Sequence, residues 1–336
     1  TVYERCGSAA TEAVCFVDAQ LPVKATILGI ENRTGREDEF SIYYFAEPAP
    51  GEVRCGGFFS EYEDGVLTAR PAFGPGQGLY IAMPGQEAAH TNCALEFFGA
   101  PGEHLVPQAL KTEALSGRDG GGATLLALQA RVRLKPGEKR ELVLVLGGAE
   151  DADAMLRRFG TVGDARARLE ETRAYWAALT GGIRICTREK ALDTLVNGWL
   201  PYQAYASRLF ARSGYYQSGG AYGFRDQLQD TLSLRYTDPQ RLRAHLLRCA
   251  ARQFIEGDVL HWWHEPTLGV RTRITDDKLF LVYAACEYER ATGDMSVFDE
   301  PASYLESRCI PDGQCDIYER FRESEARSSS VSTACR

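Results

Sequence analysis

The sequence lacks several patterns that would assign it to a familiar class. None of its ten cysteines belongs to a Cys-x-x-Cys pair, which argues against zinc clips and thioredoxin-like redox sites. No apolar run approaches the length of about 18 residues that a membrane span needs, and the start has no basic segment followed by an apolar one. Neither a transmembrane helix nor a secretory signal is therefore predicted.

An excess of positive charge is also missing. The formal net charge is −8, which argues against nucleic acid or an anionic membrane as a main partner. The scattered single cysteines of a chain of 336 residues are typical of a cytoplasmic protein with reduced thiols. Phosphate-cradling P-loop and dinucleotide-binding glycine spacings are absent as well.

In the first half of the chain, short apolar segments between turn residues are typical of β-strands. Residues 24–30 and 40–45 are apolar strands separated by a turn, and 123–134 and 140–146 flank Pro136-Gly137 in what we predict to be a hairpin. The glycine run at 120–122 is predicted to be a surface loop. Several short strands between Gly/Pro turns predict an antiparallel β-sandwich over 1–150, incomplete at its start.

Near residue 151 the spacing of the apolar residues changes to that of α-helices. We predict a helical linker over 151–180 and a run of helices over 181–336, joined by irregular connections without strands. Asp238-Pro239 predicts one helix start, and Thr275 and Gly293 bound another predicted helix. The predicted fold class is β + α multidomain, an antiparallel β-sandwich (super-sandwich) followed by a linker helix and a partial (α/α)6 barrel.

Four polar and aromatic clusters lie in the helical half. They supply carboxylates, guanidinium groups, amides and aromatic rings, which suit a sugar: hydroxyls need paired donors and acceptors, and the C–H face of the ring stacks on aromatic side chains. The four are RSGYYQSGG (212–220), FRDQLQD (224–230), HWWHE (261–265) and RTRITDD (271–277).

Each cluster also has a structural interpretation. Asp226 and Asp230 fit pairing with arginines on a solvated helix face. His261 and His264 fit hydrogen-bonded structural residues better than metal ligands, since no further ligands stand at metal spacing. Thr275-Asp276-Asp277 fits a helix start, where threonine caps and carboxylates favour the dipole.

These clusters, in this order, resemble glycoside hydrolase family 94, the inverting β-glycoside phosphorylases. The matching segments are GFRDQLQD (223–230), Gln253-Phe254 followed by HWWH (261–264), and GVRTRITDD (269–277). NRTG (32–35) and FSEYEDGVLTARP (59–71) resemble the amino-terminal sandwich domain of that family. The segment GVRTRITDD is most similar to the corresponding segment in the branch that acts on β-1,2-glucans. That branch includes the phosphorylase-like region of cyclic β-1,2-glucan synthases.

The resemblance implies a mechanism and a set of site residues. Inorganic phosphate attacks the anomeric carbon while Asp276, the general acid, protonates the leaving oxygen, so no metal or cofactor is expected and phosphate is a co-substrate. Substrate contacts are expected from Arg225, Asp226, Gln229, Asp230 and Asp277, with Trp263 and Tyr216 as looser candidates for stacking. Arg271 and Arg273 are weak candidates for phosphate binding.

The chain also departs from the family pattern. Ile274 stands two residues before the predicted acid, where relatives have an aromatic residue. The family's chains are longer, and the His and Thr-Gly phosphate ligands expected further along are missing, so we expect a fragment with an incomplete phosphate site. A homodimer is expected from the family alone, and membrane association only within a larger glucan synthase.

Two other functions remain open at this point. An inverting hydrolase on the same fold needs a second carboxylate as base, for which Glu265 is the nearby candidate. A non-catalytic glucan-binding or chain-measuring module of a glucan synthase would bind glucan without Asp276.

Overall fold

The computed structural model divides the chain into two compact units, Thr1–Tyr175 and Trp176–Arg336. The division falls inside the segment 151–180, to which the sequence assigns a helical linker. The residues whose structure is described are 2–48, 58–71, 78–100, 106–148, 152–212, 220–265 and 268–331.

The first unit consists mainly of antiparallel strands. They form an eight-stranded sheet in the order β1-β2-β3-β11-β7-β6-β5-β9 and a three-stranded sheet in the order β4-β10-β8. The strands are β1 (Val2–Cys6), β2 (Ala9–Val17), β3 (Val23–Asn32), β4 (Asp38–Ala46), β5 (Phe58–Glu63), β6 (Val66–Pro71), β7 (Leu79–Ala82), β8 (Ala88–Thr91), β9 (Gly120–Ala123), β10 (Leu126–Leu134) and β11 (Lys139–Gly148).

The two sheets of the first unit enclose a core. Ile42 and Leu128 of the smaller sheet share a buried cluster with Leu67, Ile81 and Leu142 of the larger one. Burying such side chains contributes roughly 1.5–3 kcal/mol each. This is the sandwich packing that the alternation of short strands and turns predicts.

The predicted hairpin across Pro136-Gly137 is wrong. Strand β10 pairs with β4 and β8, whereas β11 pairs with β3 and β7, so the turn carries the chain from one sheet to the other. Asn32 supports this crossing, because its buried side-chain amide donates to the carbonyl of Leu134 at 2.8 Å. Both strands are central in their sheets, and a turn signal alone does not distinguish a hairpin from a sheet-to-sheet connection.

Short helices and the longer helix α3 complete the first unit and lead into the second. They are α1 (Ala94–Phe98), a 3₁₀ helix (Gln108–Lys111), α2 (Ala152–Arg157) and α3 (Val162–Thr180). Phe159, Ala165 and Leu169 of the α2–α3 region pack with Ile27 and Val143 of the larger sheet. The predicted loop at 120–122 is instead part of edge strand β9.

The second unit contains helices and two small sheets. The helical elements are α4 (Lys190–Thr194), a π-helical segment (Leu195–Trp199), α5 (Leu200–Gln203), a second π-helical segment (Ala204–Phe210), α6 (Phe224–Leu232), α7 (Pro239–Ala250), α8 (Thr275–Thr292) and a 3₁₀ helix (Ser296–Asp299). The strands are β12 (Tyr222–Gly223), β13 (Val259–His264), β14 (Leu268–Thr272), β15 (Pro301–Glu306), β16 (Asp316–Arg320) and β17 (Arg322–Ser330).

The helix boundaries predicted from capping signals are confirmed. Helix α7 begins at Pro239 with the Asp238 carboxylate accepting from the amide of Arg241, and α8 ends at Gly293 in the left-handed conformation. The absence of strands in this half was predicted wrongly, because β12-β13-β14-β16 and β15-β17 form sheets. Among the helices that the structure describes, none combines the length and the apolar character of a membrane span.

Helices α6, α7 and α8 pack around one apolar core. Phe224, Leu228, Leu246, Trp263 and Leu281 are fully buried in it. Because Phe224 and Leu228 occupy the inner side of α6, the charged residues between them lie on its outer side. The packing therefore presents a polar surface of α6 beside the first turn of α8.

Candidate active site

Asp276 lies in the first turn of α8 with its carboxylate accessible. Its side chain is 54% exposed, and its Oδ2 lies 3.4 Å from Nε of Arg225 in the first turn of α6. The structure thus brings together two residues that are about fifty positions apart in the sequence. Ile274 occupies the N-cap position of α8 and makes no side-chain capping hydrogen bond, whereas Thr275 is the first residue inside the helix. The predicted capping role of Thr275 is therefore wrong.

Arg225 links three neighbours of the site. Its Nη1 donates to Oδ1 of Asp226 at 3.0 Å, and its guanidinium lies 5.3 Å from the centre of the Phe280 ring. Its Nε is a buried atom without a hydrogen bond within the described part of the chain, and the contact with Asp276 is an ion pair only. The Arg225 side chain is 39% exposed, so it is accessible to a ligand while it is paired with both carboxylates.

Asp277, unlike Asp276, is buried. Its Oδ2 lies 2.9 Å from Nδ1 of His261 on β13 and accepts from the hydroxyl of Thr272 at 3.4 Å. The hydrogen bond to Asp277 raises the pKa of His261, and burial of the ring opposes that rise. The buried position is at odds with direct substrate contact by Asp277, because its carboxylate already has two protein partners.

Asp230, one turn after Asp226, belongs to a different group. Its Oδ2 accepts from Nε of Arg208 at 2.8 Å, and Asp230, Arg208 and Gln229 line a cavity of about 490 Å³. Burial raises the pKa of the Asp230 carboxyl, while Arg208 acts in the opposite sense. Most other lining residues are apolar: Leu179, Ile183, Val196, Leu200, Pro201, Ala204 and Leu234. The polar cluster of α6 is thus divided between this cavity and the Asp276 surface.

Two of the assignments, Trp263 and Arg271, need correction. Trp263 is fully buried and stacks on Tyr222 with the rings 5.3 Å apart, so its faces are not open to a sugar. Arg271 is also buried, and it donates to Asp258 and Glu256 at 2.9 and 3.0 Å, so its charge is compensated within the fold. That arrangement argues against phosphate binding by Arg271.

The remaining assignments have mixed outcomes. Arg273 is exposed and donates through Nη2 to the carbonyl of Ile310 at 2.8 Å. Tyr216 lies outside the described residues. Sequence reasoning assigned His261 only a structural hydrogen bond and overlooked Arg208, for which no motif gave a signal.

Glu265 is engaged with its neighbours. Its carboxylate accepts from Nη2 of Arg252 at 3.1 and 3.2 Å and from Nε1 of Trp263 at 3.2 Å. These three bonds occupy three of the roughly four acceptor sites of the carboxylate and hold it against Arg252. The structure therefore gives the hydrolase alternative little support from this residue.

Family models match both units. The model described as the supersandwich domain of glycosyl hydrolase 94 matches residues 3–162, and that of the catalytic domain of the glycosyl hydrolase 94 superfamily matches residues 175–332. The chain belongs to the glycosyl hydrolase 94 family. The predicted fold class, an antiparallel sandwich followed by a linker helix and helices of the α/α-barrel type, is confirmed.

Individual relatives extend this result. The chain is 35% identical over 321 residues to the cyclic beta-(1,2)-glucan synthase NdvB of Rhizobium meliloti (strain 1021), covering 91% of this chain and 11% of that protein. It is 24% identical over 226 residues to N,N'-diacetylchitobiose phosphorylase of Vibrio proteolyticus, covering 58% of this chain and 28% of that protein. The chain thus spans a small part of the length of these relatives.

A solved structure supports the fold at low identity. It is the putative kojibiose phosphorylase from human microbiome, with a TM-score of 0.52 and 10% sequence identity, covering 88% of this chain and 42% of that chain. At that identity the likeness concerns the fold alone.

Proposed function

We propose that this chain takes part in the inverting phosphorolysis of β-glucosides, with Asp276 as the general acid. The observation that carries the proposal is the accessible Asp276 carboxyl, paired with Arg225 beside Asp226. Family membership favours phosphorolysis, because several relatives are named phosphorylases. The accessible carboxyl group of Asp276 can come within hydrogen-bond reach of the glycosidic oxygen of a bound saccharide, as a general acid must.

In the proposed step, a phosphate oxygen attacks the anomeric carbon as the glycosidic bond breaks. The bonding electrons pass to the leaving oxygen, which takes the proton of the Asp276 carboxyl. The products are α-glucose 1-phosphate and a saccharide shortened by one unit. Since phosphate is already a charged nucleophile, the step needs no carboxylate base to activate water, unlike inverting hydrolysis.

Arg225 and Asp226 are the proposed contacts to the hydroxyls of the transferred glucose. Arg225 is 39% exposed and offers guanidinium donors, and Asp226 has an exposed carboxylate that can accept from hydroxyls. Asp230 and Gln229 would contribute only if the saccharide extends to the cavity they line. Arg273 is the remaining candidate for phosphate among the residues named from the sequence.

The proposed substrate is a β-1,2-gluco-oligosaccharide. The similarity to a protein named cyclic beta-(1,2)-glucan synthase, over 91% of the chain, supports this linkage over the others in the family. The free thiols of Cys15, Cys186 and Cys286 fit a reducing compartment, and we propose that the reaction takes place in the cytoplasm.

A second candidate is a glucan-binding region within a larger synthase. The coverage of only 11% of the glucan synthase favours it, because one region of so long a protein need not catalyse its own reaction. Such a region would bind oligosaccharide equally well with Asp276 replaced.

The test is the release of glucose 1-phosphate from β-1,2-gluco-oligosaccharides in the presence of phosphate. It is run on this chain and on a version extended along its natural reading frame at both ends, each with Asp276→Asn. Asp64→Asn, an exposed change in the turn between β5 and β6, is the matched control.

Phosphate-dependent product that disappears in Asp276→Asn and persists in Asp64→Asn would support the proposal. Free glucose made without phosphate would favour hydrolysis. Binding without any product, unaffected by Asp276→Asn, would favour the glucan-binding region.

A further inference from the structure

The Asp277–His261 pair has a geometry that suggests more than a structural link. The carboxylate of Asp277 is 1% exposed, whereas the side chain of His261 is 41% exposed. A carboxylate only accepts hydrogen bonds, so Nδ1 of His261 carries the proton that bridges them at 2.9 Å. One edge of the ring is therefore held by the fold, and the remaining polar atom is Nε2.

The surroundings of His261 are acidic. Asp277 and Asp276 approach it from α8 and Asp226 from α6, and all three carboxylates raise the pKa of the imidazole. Arg225 is the basic group of the same cluster, paired with Asp226 and Asp276. A protonated ring offers Nε2–H as a charge-assisted donor toward an oxygen in the site.

The charge of the cluster decides which oxygen is preferred. The three carboxylates outnumber the two positive groups, Arg225 and a protonated His261, so a phosphate dianion at Nε2 would enter a cluster of net negative charge, which is unfavourable. A sugar hydroxyl is neutral and accepts the same hydrogen bond without that repulsion. The site thus favours a polyol over an anion as the ligand of His261.

We propose that His261, held by Asp277, binds a hydroxyl group of the saccharide through Nε2. This inference rests on the proposed function and adds a substrate-binding residue to it. The consecutive carboxylates then have separate tasks: Asp276 reaches the glycosidic oxygen, and Asp277 anchors the ring that binds the sugar. The anchoring also explains why a buried carboxylate follows the accessible one directly in sequence.

Two substitutions separate the binding role from a purely structural one. The amide nitrogen of asparagine lies close to the position of Nδ1, so His261→Asn preserves a donor to Asp277 and removes Nε2. Glutamine places its amide near the position of Nε2, so His261→Gln keeps a ligand-facing donor and gives up the bond to Asp277. His264→Asn, on the same strand, is the control for the loss of an imidazole.

The first measurement is NMR of the ring protons of the five histidines, with His261 assigned by its loss in His261→Asn. We expect a pKa above 6.5 for His261, and a lower one in Asp277→Asn. A β-1,2-gluco-oligosaccharide alone should move the His261 resonance, and inorganic phosphate alone should not. A response to phosphate and none to saccharide would overturn the proposal in favour of an anion site.

The second measurement is the phosphorolysis assay in the extended protein. His261→Asn should raise KM for the saccharide on the order of tenfold, the effect of one lost hydrogen bond to a charged donor, and leave KM for phosphate unchanged. His261→Gln should retain part of the binding, and His264→Asn all of it.

The outcomes distinguish this inference from the proposed function. If product release requires Asp276 but His261→Asn leaves the saccharide KM unchanged, His261 is only structural and the proposed phosphorolysis stands. If saccharide neither binds nor reacts in any version of the protein, both proposals fail.

Discussion

Arg225 Nε lies 3.4 Å from Oδ2 of Asp276, and this ion pair joins the first turns of helices α6 and α8. Arg225 also holds Asp226, so one guanidinium orders two carboxylates at the same surface. The arrangement places a positive charge between the predicted acid and a predicted sugar contact.

Arg225→Lys should reduce phosphorolysis far more than stability. A lysine keeps the charge, but its single ammonium does not reproduce the planar fork that reaches two carboxylates and a ligand. We expect a loss of product formation on the order of a hundredfold, the size typical of removing one positioned donor. Partly exposed ion pairs contribute only about 0–1 kcal/mol, so thermal unfolding should change little. A large fall in melting temperature would instead indicate that Arg225 is structural.

Asp18→Asn should strongly destabilise the first unit. The carboxylate of Asp18 is fully buried and receives Nε and Nη2 of Arg168 at 2.7 and 2.6 Å. Removing one partner of a buried ion pair costs about 3–5 kcal/mol, because the buried Arg168 then keeps only its ion pair with the exposed Glu171. Denaturant unfolding checks this, with Glu170→Gln at the exposed Arg173–Glu170 pair as the control. Equal effects of the two variants would contradict the prediction.

The second unit should lose stability in acid through His245. Burial, together with the smaller effects of Arg248 and Arg212, lowers the pKa of this histidine in α7 from 6.5 to about 3. Below pH 6.5 the unfolded chain therefore binds a proton that the native chain does not, so the free energy of unfolding falls as the pH falls toward 3. The slope from this one group approaches about 1.4 kcal/mol per pH unit.

The comparison that isolates this effect is the slope of unfolding free energy against pH in His245→Gln. The variant should have a shallower slope between about pH 6 and pH 4, whatever its absolute stability. Identical slopes would mean that His245 is protonated in the native state.

Gly269→Ala should disturb the strand that pairs with the one carrying His261. A methyl group on Gly269 of β14 would lie 2.9 Å from both the carbonyl oxygen of Trp262 and Cβ of Trp263. Overpacking of this kind costs about 1–3 kcal/mol, and here it also pushes on the neighbouring strand β13. Gly198→Ala is the control, since nothing lies within 4 Å of the added carbon in its π-helical segment.

The two variants are compared by thermal unfolding and by the NMR signal of His261. Gly269→Ala should lower the melting temperature and shift the signal, and Gly198→Ala should do neither. An unchanged His261 signal in a destabilised Gly269→Ala would show that the strain does not reach the site.

The sequence by itself determined the order of the chemistry-bearing segments and the sandwich character of the first unit, but not the small sheets of the second. The spacing of apolar residues along a strand or a helix is a local property, and so are the caps at Asp238 and Gly293. The start of α7 and the end of α8 were therefore predicted well. The family motifs likewise lie in short continuous segments, so Arg225, Asp226 and Asp276 were identified before their proximity was known.

Only the tertiary structure decided how those segments face each other. The apolar pattern of β10 and β11 is compatible with a hairpin and equally with two strands in different sheets. Their pairing partners in the folded sandwich decide between these arrangements. In HWWH, burial separates Trp263 in the core from His261 at the surface, although both are ring-bearing residues of one strand. Asp276 and Asp277 differ in the same way, because successive residues of a helix point about 100° apart and the core covers only one of them.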